Sequence, residues 1–167
     1  MRIAVKDANV LIDMAVAGLL ESWFQLGIST CTTDIVFQQV KRDPQAAAVL
    51  PFVASGMLEI VSLTGEQLSL CVQHYGHLRI GIADSSVILL AKERKALLLT
   101  GDRRVTREGR VAGIEVRGLL WIFDELVART ILPPKLAAIK LRAVLDAGAF
   151  LPEDECERRL EAWGTVQ

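Results

Sequence analysis

The sequence predicts an α/β fold: a three-layer α/β/α sandwich around a central parallel sheet of about five strands. Three observations point there. Short apolar runs alternate with longer, helix-patterned segments up to about residue 130. The short runs, IAV near the start and LLL near the middle, are continuously apolar, as strands covered on both faces are. Turn and cap residues punctuate the boundaries. Right-handed crossovers then restrict the topology to a doubly wound sheet.

The elements follow in order. Arg2–Lys6 reads as a buried first strand, and Asn9–Leu26 as one largely buried helix. Ile28–Thr32 is a second strand, after which Thr33 can cap a helix running through IVFQQV. Asp43-Pro44 opens another helix with Pro44 at its first position, and Gly56 closes it. Leu58–Leu63 is a third strand, and Thr64 starts a helix toward Tyr75. Gly81–Arg94 is a helix leading into a fourth strand, Ala96–Thr100. Asp102–Val111 is an arginine-rich helix closed by Gly113. A fifth strand, Ile114–Val116, and a helix, Gly118–Arg129, complete the body. After Pro133-Pro134, segments near Lys135–Ala147 and Pro152–Trp163 predict a helical hairpin packed on that body. It is too short to bury a core of its own. Residues 1–167 therefore read as one domain, with a core over 1–130 and a helical extension over 131–167.

Composition narrows the function classes. Hydrophobic residues make up 51% and charged residues 23%, which excludes disorder. The formal net charge of -1 gives no global basic field, so any nucleic-acid contact needs a local patch. Cys31, Cys71 and Cys156 are odd in number and form no CxxC pair, and read as reduced thiols of a cytosolic protein. The start, MRIAVKDANVLIDM, lacks the layout of a secretory signal. The most apolar stretch, Val10–Leu20, is too short to span a bilayer.

Parallel α/β sheets bind ligands at the carboxyl ends of their strands. Asp7 directly follows the first strand, Asp102 follows the fourth by two residues, and Asp84 opens the helix before the fourth. Each also sits where an acid caps a helix or complements its dipole. Three acids converging on one edge would repel unless a cation sat between them, and a hard divalent ion with oxygen ligands answers that need.

Four stretches carry a resemblance: KDANVLIDM, TTDIVFQQV, GIADSSVILLAKERKALLLTGDRR and GIEVRGLLWIFDEL. In order and spacing they resemble the PIN domain, a family of metal-dependent ribonucleases that includes many toxins of toxin–antitoxin pairs. The tail from Leu132 resembles the helical extension of one bacterial and archaeal branch. The resemblance implies strand order 3-2-1-4-5. It implies that Asp7, Asp84 and Asp102 are catalytic, metal-coordinating acids for Mg²⁺ or Mn²⁺. Asn9 and Thr100 would line the same site. It further implies hydrolysis of single-stranded RNA in the cytoplasm, a homodimer, and a small antitoxin partner. The sequence departs at one point. The family's usual glutamate after the second strand matches Gln39 here, or Gln38 if the register slips by one. A neutral oxygen there would hold a cation more weakly. Asp34 and Asp43 are the nearest acids available to stand in, though neither suits the helix geometry.

Arg103, Arg104, Arg107 and Arg110 follow Asp102 on one short helix, and Arg103, Arg107 and Arg110 share a face. That face reads either as a phosphate-contacting patch or as a solvated helix surface. His74 and His77 carry no motif and read as surface residues. Lys6 reads as a charge balance for Asp7. The apolar helix Leu119–Val127 offers either a dimer surface or sheet packing. Two rivals remain. A haloacid-dehalogenase-type phosphatase needs Asp-x-Asp after the first strand, where this chain has Asp7-Ala8-Asn9. A PIN-like binding module that has lost cleavage would explain the glutamine.

Overall fold

The computed structural model describes residues 3–164. Its five strands are β1 (Ile3–Lys6), β2 (Ser29–Thr33), β3 (Leu58–Val61), β4 (Leu97–Leu99) and β5 (Val116–Arg117). Its helices are α1 (Ala8–Val16), α2 (Leu20–Phe24), α3 (Asp34–Lys41), α4 (Ala46–Ala54), α5 (Gly65–Tyr75), α6 (Ile82–Glu93), α7 (Arg103–Val111), α8 (Leu119–Ala128), α9 (Pro134–Asp146) and α10 (Glu153–Gly164). All strand pairs are parallel and the order is β3-β2-β1-β4-β5, as the resemblance implied. β1 is central, with Val5 opposite both Cys31 and Leu98.

Helices cover both faces and complete the three-layer sandwich. α5, α6 and α7 pack side by side, while α1, α2, α8 and α9 pack together. Ala4, Val5, Leu98 and Leu99 are fully buried between these layers, which is why the strands lack alternation. α3 touches both α1 and α6 at the carboxyl edge of the sheet.

Three expectations are corrected. The single helix over Asn9–Leu26 is broken into α1 and α2, because Gly18 takes the left-handed conformation at φ +62°. The freed carbonyls of Ala17 and Gly18 accept hydrogen bonds from Lys140 Nζ of α9, at 3.0 and 3.1 Å. Pro44 does not open α4. Asp43 Oδ1 accepts from the Gln45 backbone N–H at 2.8 Å, and this Asx turn delays the helix to Ala46. Lys6 does not simply balance the charge of Asp7. It is fully buried, with Nζ 3.5 Å from the centroid of the Trp23 ring and donating to Met14 Sδ at 3.2 Å. Burial pushes its pKa well down, against the attraction of Asp7. Of the two readings of α8, inward packing holds: Leu119, Ile122, Phe123 and Leu126 are buried, and the helix packs against α1, α2 and α9. Strand ends differ by at most two residues, and Arg2, placed in the first strand, lies outside the described residues.

The C-terminal hairpin shares the core. Ala137, Leu141, Val144, Cys156 and Trp163 are buried in the same apolar cluster as the sheet. Trp163 stands 6.0 Å from Phe123, and Arg159 binds both oxygens of Asp124 on α8, at 2.8 and 2.6 Å. The three cysteines are free and buried. Among the described residues no helix is long and apolar enough to cross a membrane.

Candidate metal centre at the carboxyl edge of the sheet

Neighbouring strands bring the acids together. The Asp7 N–H donates to Leu99 O at 3.1 Å, extending the β1–β4 ladder to the residue where the carboxylate begins. Asp7 caps α1, with Oδ1 accepting from the Val10 N–H at 3.0 Å. Asp102 caps α7, with Oδ1 accepting from the N–H groups of Arg104 and Val105 at 2.7 and 3.0 Å. Thr100 joins the two. Its buried hydroxyl donates to Asp7 Oδ2 and accepts from the Asp102 N–H at 3.1 Å. Asp84 lies half-buried in the first turn of α6. That helix is fixed to the end of β2 by Ser86, whose Oγ lies 2.8 Å from Thr33 Oγ1 and donates to Ala83 O at 2.6 Å.

The electrostatics record this convergence. Burial raises the Asp7 pKa to about 6 against the opposing hydrogen bonds from Thr100 and Val10, and the charges of Asp84 and Asp102 add to the rise. Burial and then the Asp102 charge push Asp84 up as well. Among the described residues, no three His, Cys, Asp or Glu side chains close into a ready-made metal cage. The donors are all oxygens and the cluster is loose. A hard ion such as Mg²⁺, which keeps several waters and takes few carboxylates, fits that arrangement better than a closed structural metal site would.

The other sequence candidates fall in different places. Asn9 is exposed on the first turn of α1. Gln38 and Gln39 are both exposed on α3, and with Arg42, Ile35 and Ile82 they share a cleft of about 400 Å³ with Asp84. The position of the missing acid therefore faces Asp84, and both glutamines reach the cleft. Arg42 was not foreseen, although its spacing of four from Gln38 places it on that helix face. Asp34 and Asp43 do not line this cleft, and their carboxylates accept local backbone N–H groups of Ile35 and Gln45. Arg103, Arg107 and Arg110 do share a face, lining one groove, whereas Arg104 turns aside to donate to the Arg79 carbonyl at 3.4 Å. His74 and His77 are exposed, and His74 lines a separate hollow with Leu70 and Leu78. A larger hollow of about 820 Å³ opens at the opposite edge of the sheet, beside Ile3, Ser29, Phe24 and Phe52, and includes none of the three acids.

The chain matches a family model described as PIN domain over residues 3–165. No curated protein matches. Among solved structures, PAE2754 from Pyrobaculum aerophilum is similar at 13% identity and a TM-score of 0.57, covering 76% of this chain and 98% of that one. A PilT N-terminus domain protein, SSO1118 from Sulfolobus solfataricus P2, is similar at 14% identity and TM-score 0.44, covering 76% and 92%. VapBC2 from Rickettsia felis, solved bound to a DNA fragment from its promoter, is similar at 16% identity and TM-score 0.47, covering 70% and 98%. The first of these likenesses shows the shared fold, and the family match takes in both the sheet and the C-terminal hairpin. The chain belongs to the PIN-domain family.

Proposed function

We propose that this protein is a metal-dependent endoribonuclease that hydrolyses phosphodiesters in single-stranded RNA. The observation that carries the reading is the convergence of Asp7, Asp84 and Asp102 on one sheet edge, with Thr100 bonded to two of them. When bound there, Mg²⁺ or Mn²⁺ supplies Lewis-acid activation of water and stabilises charge developing on the phosphate. The chain's own contribution is placement. Thr100 fixes the rotamer of Asp7 and the backbone of Asp102. The α1 and α7 caps hold one oxygen of each acid, leaving Asp102 Oδ2 for the cation. Asp84 approaches from α6, across the cleft from Gln38 and Gln39. The family resemblance extends the reading to a toxin with a small antitoxin and a homodimeric state, in a cytosolic setting.

A second reading rests on that same cleft. Gln38, Gln39 and Arg42 place two neutral amides and a cation where the family resemblance implies an acid. A binding module with weakened metal affinity would look the same.

One experiment separates the readings. The protein is incubated with Mn²⁺ and single-stranded RNA beside Asp102→Asn, Gln39→Glu and Gln38→Glu. Asparagine caps helices as well as aspartate does, so Asp102→Asn keeps the fold. Cleavage by the native chain that Asp102→Asn abolishes supports the nuclease. Cleavage seen only in a glutamate variant supports the binding module. Cleavage that survives Asp102→Asn sinks the metal-centre assignment.

A further inference from the structure

Phe150 is the most exposed large apolar side chain described, at 87% of its full surface. It lies in the turn between α9 and α10, between Gly148 and Pro152. A phenyl ring carries a large apolar face, and one left in water beside a cation offers that face for stacking. The Phe150 ring is held by Arg103, whose guanidinium carbon lies 5.7 Å from its centroid, within cation–π range. Arg103 is the residue directly after Asp102, so the ring is tied to the first turn of the helix that this acid caps. From Arg103 the same helix face continues through Arg107 to Arg110, and these three line a groove of about 440 Å³ with Thr106 and Val111. Arg103 and Arg110 make no ion pair among the described residues, and Arg107 pairs only with its neighbour Glu108. The helical rise from Arg103 to Arg110 is about 10 Å, long enough for more than one phosphate.

We propose that Phe150 and the Arg103–Arg107–Arg110 face of α7 form a stacking platform for the strand of RNA that leaves the acidic cluster. The assignment rests on the ribonuclease reading for the identity of the polyanion. Its chemistry is that of sequence-tolerant single-strand binding: guanidinium groups track the backbone while an aromatic face takes a base. With Arg103 against one side of the ring, the other side remains for the base. A duplex, whose bases are already stacked on one another, gains nothing from such a ring. A protein segment is the competing occupant. It is less favoured because the surface is one aromatic ring against the first cation of a basic helix face, rather than a broad apolar groove.

The test uses the full-length protein in EDTA, so that binding is read without cleavage. Anisotropy of an end-labelled single-stranded RNA of mixed sequence is followed for the native chain, Phe150→Ala, Phe150→Trp and Arg103→Gln/Arg110→Gln. Phe150→Ala should weaken binding about tenfold and Phe150→Trp should retain it. The arginine pair should weaken binding and flatten its salt dependence. The same sequence as a duplex should bind less tightly. An unchanged affinity in Phe150→Ala overturns the platform, as does a preference for duplex. The parallel Mn²⁺ cleavage assay keeps the two readings apart. Cleavage abolished by Asp102→Asn, with binding indifferent to Phe150, sinks the platform alone. Binding that depends on Phe150, without any cleavage, sinks the nuclease and leaves the platform.

Discussion

At Asp7 one carboxylate oxygen closes the first turn of α1 and the other meets the Thr100 hydroxyl. Capping and convergence are therefore not alternatives here, since the caps aim the acids. Holding Asp7 ionised is costly, because burial and two neighbouring acids raise its pKa from 3.8 to about 6. Between those values the folded chain keeps a proton that the unfolded chain has released. Stability therefore falls as pH rises through that window, and the full penalty, on the order of 2–3 kcal/mol, applies above it. Asp7→Asn should raise the melting temperature of the metal-free protein at pH 7, with the gain shrinking toward pH 4. A variant melting below the native chain at pH 7 would contradict this. The places of Asp7, Asp84 and Asp102 were legible because strand ends and helix starts are local signals. Lys6 was not legible. Its burial depends on Trp23 folding back over it, and the turn at Gly18 that makes this possible is settled by Lys140, more than a hundred residues away.

At the scale of elements, α7 positions both Asp102 and the arginine face. It lies close on the sheet because Gly109 leaves room: a Cβ there would stand 2.9 Å from Val116 Cγ2 and 3.3 Å from Leu98 Cδ2. Gly109→Ala gains about 1 kcal/mol of helix propensity, while overpacking costs about 1–3 kcal/mol. The contact with β-branched Val116 should decide the sign, lowering the urea midpoint and shifting α7 with its cap. A higher midpoint would show that the sheet yields. Helix and strand types were readable from periodicity and punctuation, as the capping box at Thr64 and Gln67 illustrates. The start of α4 was not readable, because Asp43-Pro44 serves equally as a helix opening or as the turn it proves to be.

For the whole molecule, the alternation of buried strands with helices determines a parallel sheet, and sheet order then makes β1 and β4 neighbours. Pairwise facts about distant segments were beyond the sequence. Nothing local tells that Arg159 grips Asp124, or that Phe150 meets Arg103. The C-terminal hairpin is a case of consequence. Removing residues 131–167 would strip Leu141, Val144 and Trp163 from the common core and uncover α8. A chain ending at Thr130 should lose the single cooperative urea transition of the full-length protein, followed by circular dichroism. A truncated chain with an unaltered transition would show that the hairpin is dispensable.

The buried amine beside Asp7 also has a spectroscopic consequence. Indole emission responds to nearby charge, and Lys6 Nζ sits over the ring of Trp23, one of three tryptophans in the chain. Any change in charge at Asp7 is one residue away from that amine. A change in charge at Asp7 should therefore shift the Trp23 contribution to the emission, a readout of the acidic edge that needs no label, ligand analogue or engineered chromophore.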